Sequence, residues 1–277
     1  MVPETGRDVT GDTPVERDSV KSTIVRVRSY YWTEHRTMTP RHETDPRLDT
    51  QCVKTFEGTD GPGAVTIVGV VHDHPASVYR ARHVVSERDP DVLALELPPL
   101  AVPLYEAYAA GEQSPPTFGG ELSGAAQAAR TDDIAGIDGP TLGFARRLGR
   151  RLWRNRASAA TVSRSARSLL SITKTALACR LAAPVTARTG LTVAIGSPVH
   201  HETTGDPADV QAADERRQIR TATAVVDAFE TSPSSRYRTA SRESHMADRI
   251  EALRERGDVV AVVGAGHFES LCERVTS

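Results

Sequence analysis

The chain has 277 residues, 39% of them hydrophobic, enough to bury one sizeable core with a small extra lobe but not three domains. Lysine plus arginine comes to 34 and aspartate plus glutamate to 36, and a net charge of −2 argues against nucleic-acid binding by bulk charge. Cys52, Cys179 and Cys272 are odd in number, far apart and in no Cys-x-x-Cys pair, which argues against a disulfide framework or zinc ribbon and fits a reducing cytoplasm.

Residues 1–20 are polar and acidic, unlike a signal peptide. Residues 1–63 hold few apolar side chains beyond Ile24, Val25, Val27 and Tyr30-Tyr31-Trp32, so they are expected to be a poorly ordered extension. Order is expected from residue 64 to residue 277. Val65 to Val71 is a β-branched apolar run, the mark of a strand buried on both faces, and it stops at His72. Pro75 opens a helix that Asp89-Pro90 breaks, and a second strand, Asp91 to Leu95, runs into Glu96. Strand, helix, strand in this space is a βαβ unit with parallel strands.

Helices follow over Leu100–Ala110 and Gly120–Ala129, then a short strand, Ile134 to Ile137, that ends at Asp138. Residues 141–195 are expected as a helical, Arg-rich excursion; the stretch 175–199 is too interrupted by Arg180, Pro184, Arg188 and Pro198 to span a bilayer. One helix is expected from Asp206-Pro207 to about Phe229 and another from about Arg238 to Arg256. A last strand, Val259 to Val263, leads into Gly264-Ala265-Gly266-His267. The expected architecture is therefore α/β, with a mainly parallel sheet, flanking helices and a basic helical insertion.

In open parallel sheets, ligands bind outside the C-terminal strand ends. Four predicted strands end at or just before His72, Glu96, Asp138 and His267. Two imidazoles and two carboxylates there suit a divalent Mn, Zn or Co ion with open positions for water. Such a metal lowers the pKa of its water toward about 7 and polarises a carbonyl, the chemistry of metal-assisted hydrolysis. Both histidines close a Gly-x-x-His phrase, Gly69-Val70-Val71-His72 and Gly264-Ala265-Gly266-His267, whose glycine lets the backbone turn closely against a ligand. A dinucleotide fingerprint at Gly264-Ala265-Gly266 fails because its third glycine position is Glu269.

Met246, Ile250 and Leu253 form a core-facing helical stripe, and Arg242 and Glu243 project near it. An Arg–carboxylate pair beside the cleft would hold those charges, and a solvated first turn is the alternative. Glu121 is expected to charge its helix N-terminus. His74 reads as a helix-entry residue and His200-His201-Glu202 as a solvated loop.

These parts resemble the TraB/PrgY/GumN family, related to the Tiki metalloproteases and more distantly to erythromycin esterases and a haem-binding lipoprotein group. The likeness spans about residues 64–275. It rests on Gly69 to His72, Pro90 to Leu97, Gly120-Glu121-Leu122, Ile137-Asp138, Arg242 to Ala247 and Val262 to His267. The resemblance implies a Mn- or Co-dependent peptide-hydrolysing site using His72, Glu96 and His267, and some relatives inhibit peptide pheromone signals instead. Val70, Ala101 and Ser241 depart from the family pattern, which has a small hydroxyl residue, an Arg and a Glu at about those places.

The first functional expectation is a metal-dependent peptidase with His72, Glu96, Asp138 and His267 around the metal. Glu96, Arg242 and Glu243 are its catalytic candidates, with Arg242 stabilising developing negative charge. The second is a non-catalytic binder of a peptide or membrane-associated partner, and the third is haem capture by one histidine. The near-neutral charge hides a cancellation: Gly139 to His201 holds ten Arg and Lys174 with no acid. Arg146, Arg147, Arg150, Arg151, Arg154 and Arg156 accompany Phe144, Leu148, Leu152 and Trp153 in a basic amphipathic pattern. An internal lid or a subunit contact in a homo-oligomer is preferred there over peripheral docking on a membrane.

Overall fold

Among the described residues, five segments become strands: β1 (Val53–Phe56), β2 (Val65–Val70), β3 (Val92–Leu95), β4 (Ile134–Gly136) and β5 (Val259–Gly264). They form one sheet in the order β1-β2-β5-β3-β4. All neighbouring pairs are parallel except β1 with β2, so the sheet is mixed and mostly parallel. The computed structural model describes residues 45–58, 63–189, 193, 195, 199–228 and 232–275. The chain divides into two units, Met1–His42 and Glu43–Ser277. The Tyr30-Tyr31-Trp32 cluster and the rest of residues 1–44 lie outside the described residues.

The helices are α1 (Pro75–Arg88), α2 (Val102–Ala109), α3 (Gly120–Ala128), α4 (Leu142–Arg154), α5 (Ala159–Thr189), α6 (Ala208–Ala228), α7 (Pro233–Arg254) and α8 (Ala265–Val275). Strand periodicity divides the side chains between two faces. Val65, Ile67, Val259, Ala261 and Val263 point to the layer of α7 and α8. Val68, Val70, Val260 and Val262 point to α1, α2, α3 and part of α5. Each such burial is worth about 1.5–3 kcal/mol for a Val- to Leu-sized side chain, which makes these two layers the main source of stability.

Two expectations change, and two further segments are defined. Order begins before Val65, because Thr50–Cys52 form a 3-10 turn and β1 pairs antiparallel along β2 from Val53↔Val68 to Phe56↔Val65. An edge strand needs only one buried face, so its apolar content is too low to stand out. Helix α7 starts earlier than Arg238, where the Ser232 side chain accepts the Ser235 N–H and Pro233 occupies the first turn. The residues after β5 are a helix, α8, whose Phe268, Leu271, Cys272 and Val275 are buried. The excursion over 141–195 is also packed in: Cys179, Ala182 and Ala183 of α5 join the main core, while Phe144, Leu148 and Leu152 of α4 form a small cluster with Leu169 and Tyr237. Phe144, Leu148 and Leu152 of the basic helix are therefore covered by the chain itself, whereas Leu142 and Trp153 are exposed.

All three cysteines are buried. Among the described residues, no helix is long and apolar enough to cross a membrane.

Candidate functional site

The parallel register places Val70 beside Gly264, and Leu95 beside both Val262 and Gly136. The ends of these strands thus meet at one edge of the sheet. Glu96 leaves β3 with its backbone N–H on Val262 O at 3.0 Å, which turns its side chain toward β5. Its carboxylate, only 5% exposed, accepts the Gly264 N–H at 2.6 Å on Oε2 and the Arg242 guanidinium at 2.8 Å on Oε1. His267, in the first turn of α8, brings Nε2 to 3.7 Å from Glu96 Oε1.

Each Gly-x-x-His histidine has its own carboxylate. His72 Nδ1 lies 2.7 Å from Glu121 Oε1, and His267 Nδ1 lies 3.2 Å from Glu243 Oε1. Glu121 Oε2 also accepts the Asp73 N–H at 2.9 Å, and Glu243 Oε2 accepts the Ser270 hydroxyl at 2.8 Å. A carboxylate on Nδ1 fixes the ring and presents Nε2 as the free donor, the arrangement by which proteins orient metal-binding imidazoles. The sequence showed Glu121 only as a charge at a helix N-terminus. The signal for its role is Gly119-Gly120: a Cβ on Gly120 would sit 2.3 Å from Asp73 Oδ1, so only glycine lets α3 approach the His72 loop this closely.

The hydrogen bond with Glu121 pushes the His72 pKa up to about 9 from its ordinary 6.5, with Glu96 and Asp73 adding to the same direction and burial opposing it. Burial opposes ionisation of Glu243, but hydrogen bonds from His267 and Ser270 hold its carboxyl below the usual range. Protonated His72 therefore favours the fold. That contribution is complete below pH 6.5 and disappears as pH rises through about 9. In metal-free protein, Glu121→Gln is expected to return the His72 titration, followed by NMR, toward 6.5 and to remove this pH dependence of unfolding. A His72 titration unchanged by the substitution would refute the pairing.

Asp138, expected among metal ligands, is engaged otherwise. Arg242 grips it through Nε on Oδ1 at 3.0 Å and Nη2 on Oδ2 at 2.7 Å, a bidentate pair. Arg242 and Glu243 are mid-helix residues of α7, not a solvated first turn, and Arg242 pairs with Glu96 and Asp138 while Glu243 pairs with His267. One of the two phrase glycines acts differently from expectation. A Cβ on Gly69 would meet the Phe268 ring at 3.0 Å, so this glycine admits α8 against β2. A Cβ on Gly264 would lie 3.4 Å from Glu96 Oε2 and 3.8 Å from His72 Nε2, in the space between the two groups.

Among the described residues, the one group with three ligand-type atoms within 4.8 Å of one another is His74, His201 and Asp214. His72, Glu96 and His267 form a more open set. Hydrogen bonds account for the tighter group. His74 caps α1 by accepting the Ala76 N–H on Nδ1 at 3.2 Å, so its proton is on Nε2, facing Asp214 Oδ2 at 3.3 Å. Burial holds the His74 pKa below its ordinary value, in keeping with a neutral ring. His201 donates from Nε2 to the His72 carbonyl at 2.9 Å and accepts from Gln218 on Nδ1 at 3.1 Å. Both rings are thus spent on hydrogen bonds, and neither has a carboxylate or carbonyl behind a free nitrogen. His74 is the expected helix-entry residue, whereas His201 is no solvated loop residue: it ties the 199–206 segment to the backbone of His72. Val199 N–H adds a bond to Asp73 Oδ2 at 2.8 Å.

Comparison of the chain with models of known families, with curated proteins and with solved structures found no match.

Proposed function

We propose that the chain is a divalent-metal-dependent hydrolase acting on peptide bonds, with His72, Glu96 and His267 as the metal-holding residues. The observation that carries this reading is the pairing of each histidine Nδ1 with a largely buried carboxylate, which leaves His267 Nε2 3.7 Å from Glu96 and His72 Nε2 facing Glu96 across the space beside Gly264. Two imidazoles and one carboxylate suit Mn, Co or Zn and leave positions open for water and a substrate carbonyl. The charge of the site supports a cation as well. Glu96, Asp138, Glu121 and Glu243 face two guanidinium groups, that of Arg242 and, 4.0 Å from Glu243, that of Arg274, so acids outnumber fixed cations when both imidazoles are neutral.

When bound, the metal would lower the pKa of a coordinated water toward about 7 and polarise the scissile carbonyl. The protein's own groups do the rest. Glu121 and Glu243 keep the two rings in one tautomer and orientation, and Arg242, braced by Asp138, holds a positive charge where the reacting carbonyl becomes negative. The choice of peptide bonds follows the resemblance to the TraB/PrgY/GumN family.

Titrating metal-free protein with Mn, Co and Zn by calorimetry, then adding each metal to a peptide-library cleavage assay, tests both parts. One bound metal and cleavage that a chelator abolishes are expected. No binding refutes the metal site, and binding without cleavage refutes the hydrolase in favour of a non-catalytic peptide binder.

Gly264→Ala probes the gap between His72 and Glu96. Its φ is not in the left-handed region and the new methyl makes ordinary contacts, so the fold should survive within about 1 kcal/mol. Metal-dependent turnover is expected to fall by about 10- to 100-fold, because displacement of reacting groups by about 1 Å costs that much. Unchanged turnover would show that the reacting groups do not use this space.

A further inference from the structure

Helix α5 has 31 residues, about 46 Å of length at the α-helical rise, and its two long faces differ. Ala176, Cys179, Ala183 and Thr186 recur at helical spacing and are buried against the core. On the opposite side, Leu170 is 56% exposed, Leu177 50%, Leu181 66% and Val185 44%. On a 3.6-residue helix, Leu170, Leu177, Leu181 and Arg188 fall within about 20° of one line, with Lys174 beside it. Arg167 and Arg180 flank this line on either side. None of these four cations forms an ion pair with a described residue, and α5 carries no acid. An exposed run of leucines this long marks a surface that meets something else.

We infer that the outward face of α5 docks the protein on an anionic lipid surface, leucines entering the interface and cations meeting lipid phosphates. The inference shifts the main membrane contact from α4, whose Phe144, Leu148 and Leu152 are buried on Tyr237 and Leu169 and which exposes Leu142 and Trp153 at its two ends, to a face of α5 that the described residues leave open. Charge decides between occupants. A second copy stacked isologously on this face would oppose like charges, because every charge from Gly139 to His201 is positive. The lid over the protein's own acidic body is disfavoured because these side chains stay exposed. Among the described residues no helix is long and apolar enough to cross a membrane, so leucines flanked by basic side chains on α5 would rest at the interface.

Flotation of the full chain with vesicles of phosphatidylcholine, with and without phosphatidylserine, tests this. Binding is expected only to the phosphatidylserine vesicles and is expected to weaken as salt rises. Lys174→Glu with Arg188→Glu should weaken it at least about 25-fold, since each basic residue near an anionic surface is worth about fivefold. Leu177→Asn with Leu181→Asn should weaken it by about tenfold or more through lost burial of apolar side chains. Circular dichroism and elution volume confirm that each variant is folded, and hydrolysis of a soluble peptide is unaffected by either pair, which separates this test from that of the active site. Binding independent of phosphatidylserine, or binding that survives both pairs, overturns the inference. So does wild-type binding to polyglutamate as tight as to vesicles and indifferent to the leucine pair, which would assign the face to an acidic macromolecule. A dimer that the leucine pair dissociates without vesicles would assign it to a second copy.

Discussion

His267→Ala is expected to lower divalent-metal affinity by more than about 100-fold, beyond the 10- to 100-fold that a carboxylate behind a ligand carries. The ring is the piece of α8 that reaches Glu96, with Nε2 at 3.7 Å from Oε1 and Nδ1 on Glu243. Its removal takes away a donor and leaves the others in place, because Glu96 retains Gly264 N–H and Arg242, and Glu243 retains Ser270. The helix is anchored elsewhere, by buried Phe268, Leu271 and Cys272, so the fold should be unaffected. Calorimetric titration with Mn and Co, together with a chelator-sensitive cleavage assay, reads the effect. His74→Ala supplies the contrast, since His74 is committed to the α1 cap and Asp214: it should cost about 1 kcal/mol of stability for the cap and change metal affinity far less. If His74→Ala abolished metal binding and His267→Ala did not, the assignment of the two clusters would be reversed.

Glu215→Ala is expected to destabilise the protein by about 3–5 kcal/mol, because it strands a buried cation. Arg80 and Glu215 are almost wholly buried, and the guanidinium pairs with both carboxylate oxygens. Arg80 also donates to the Gly69 carbonyl at 2.9 Å and the Arg47 carbonyl at 2.9 Å, while Ser77 donates to Glu215. Against a typical total stability of about 5–15 kcal/mol, a loss of this size is decisive. Arg80→Met combined with Glu215→Leu should be far less harmful than either single loss of a partner, since apolar packing replaces a buried pair at little net cost. Urea denaturation measures all of these, and a Glu215→Ala cost below about 1 kcal/mol would mean that water reaches Arg80. The same cluster reaches the site. Ser77 Oγ accepts the Val71 N–H at 2.7 Å, so Glu215 helps hold the segment that carries His72.

The amino-acid sequence alone determined the parts of this protein that depend on local pattern. Val65–Val70 and Val259–Gly264 are strands because runs of β-branched and small apolar residues suit a sheet buried on both faces. Parallel strands put their C-terminal ends at one edge, so His72, Glu96, Asp138 and His267 could be expected together before any coordinate was known. What each of them does there was decided by tertiary contacts between residues far apart in the chain. Asp138 and His267 look alike as strand-end candidates, yet Arg242, 104 residues beyond Asp138, takes both of its oxygens, while Glu243 backs His267 and leaves Nε2 open. Glu121 and His72 are 49 residues apart, and Arg80 and Glu215 135 apart. Periodicity carries no record of such pairs, because a charged residue on a helix reads as solvated until a partner buries it. The basic block shows the same limit. Sequence identified its charge, but only packing revealed that α4 hides Phe144, Leu148 and Leu152 while α5 exposes a line of leucines.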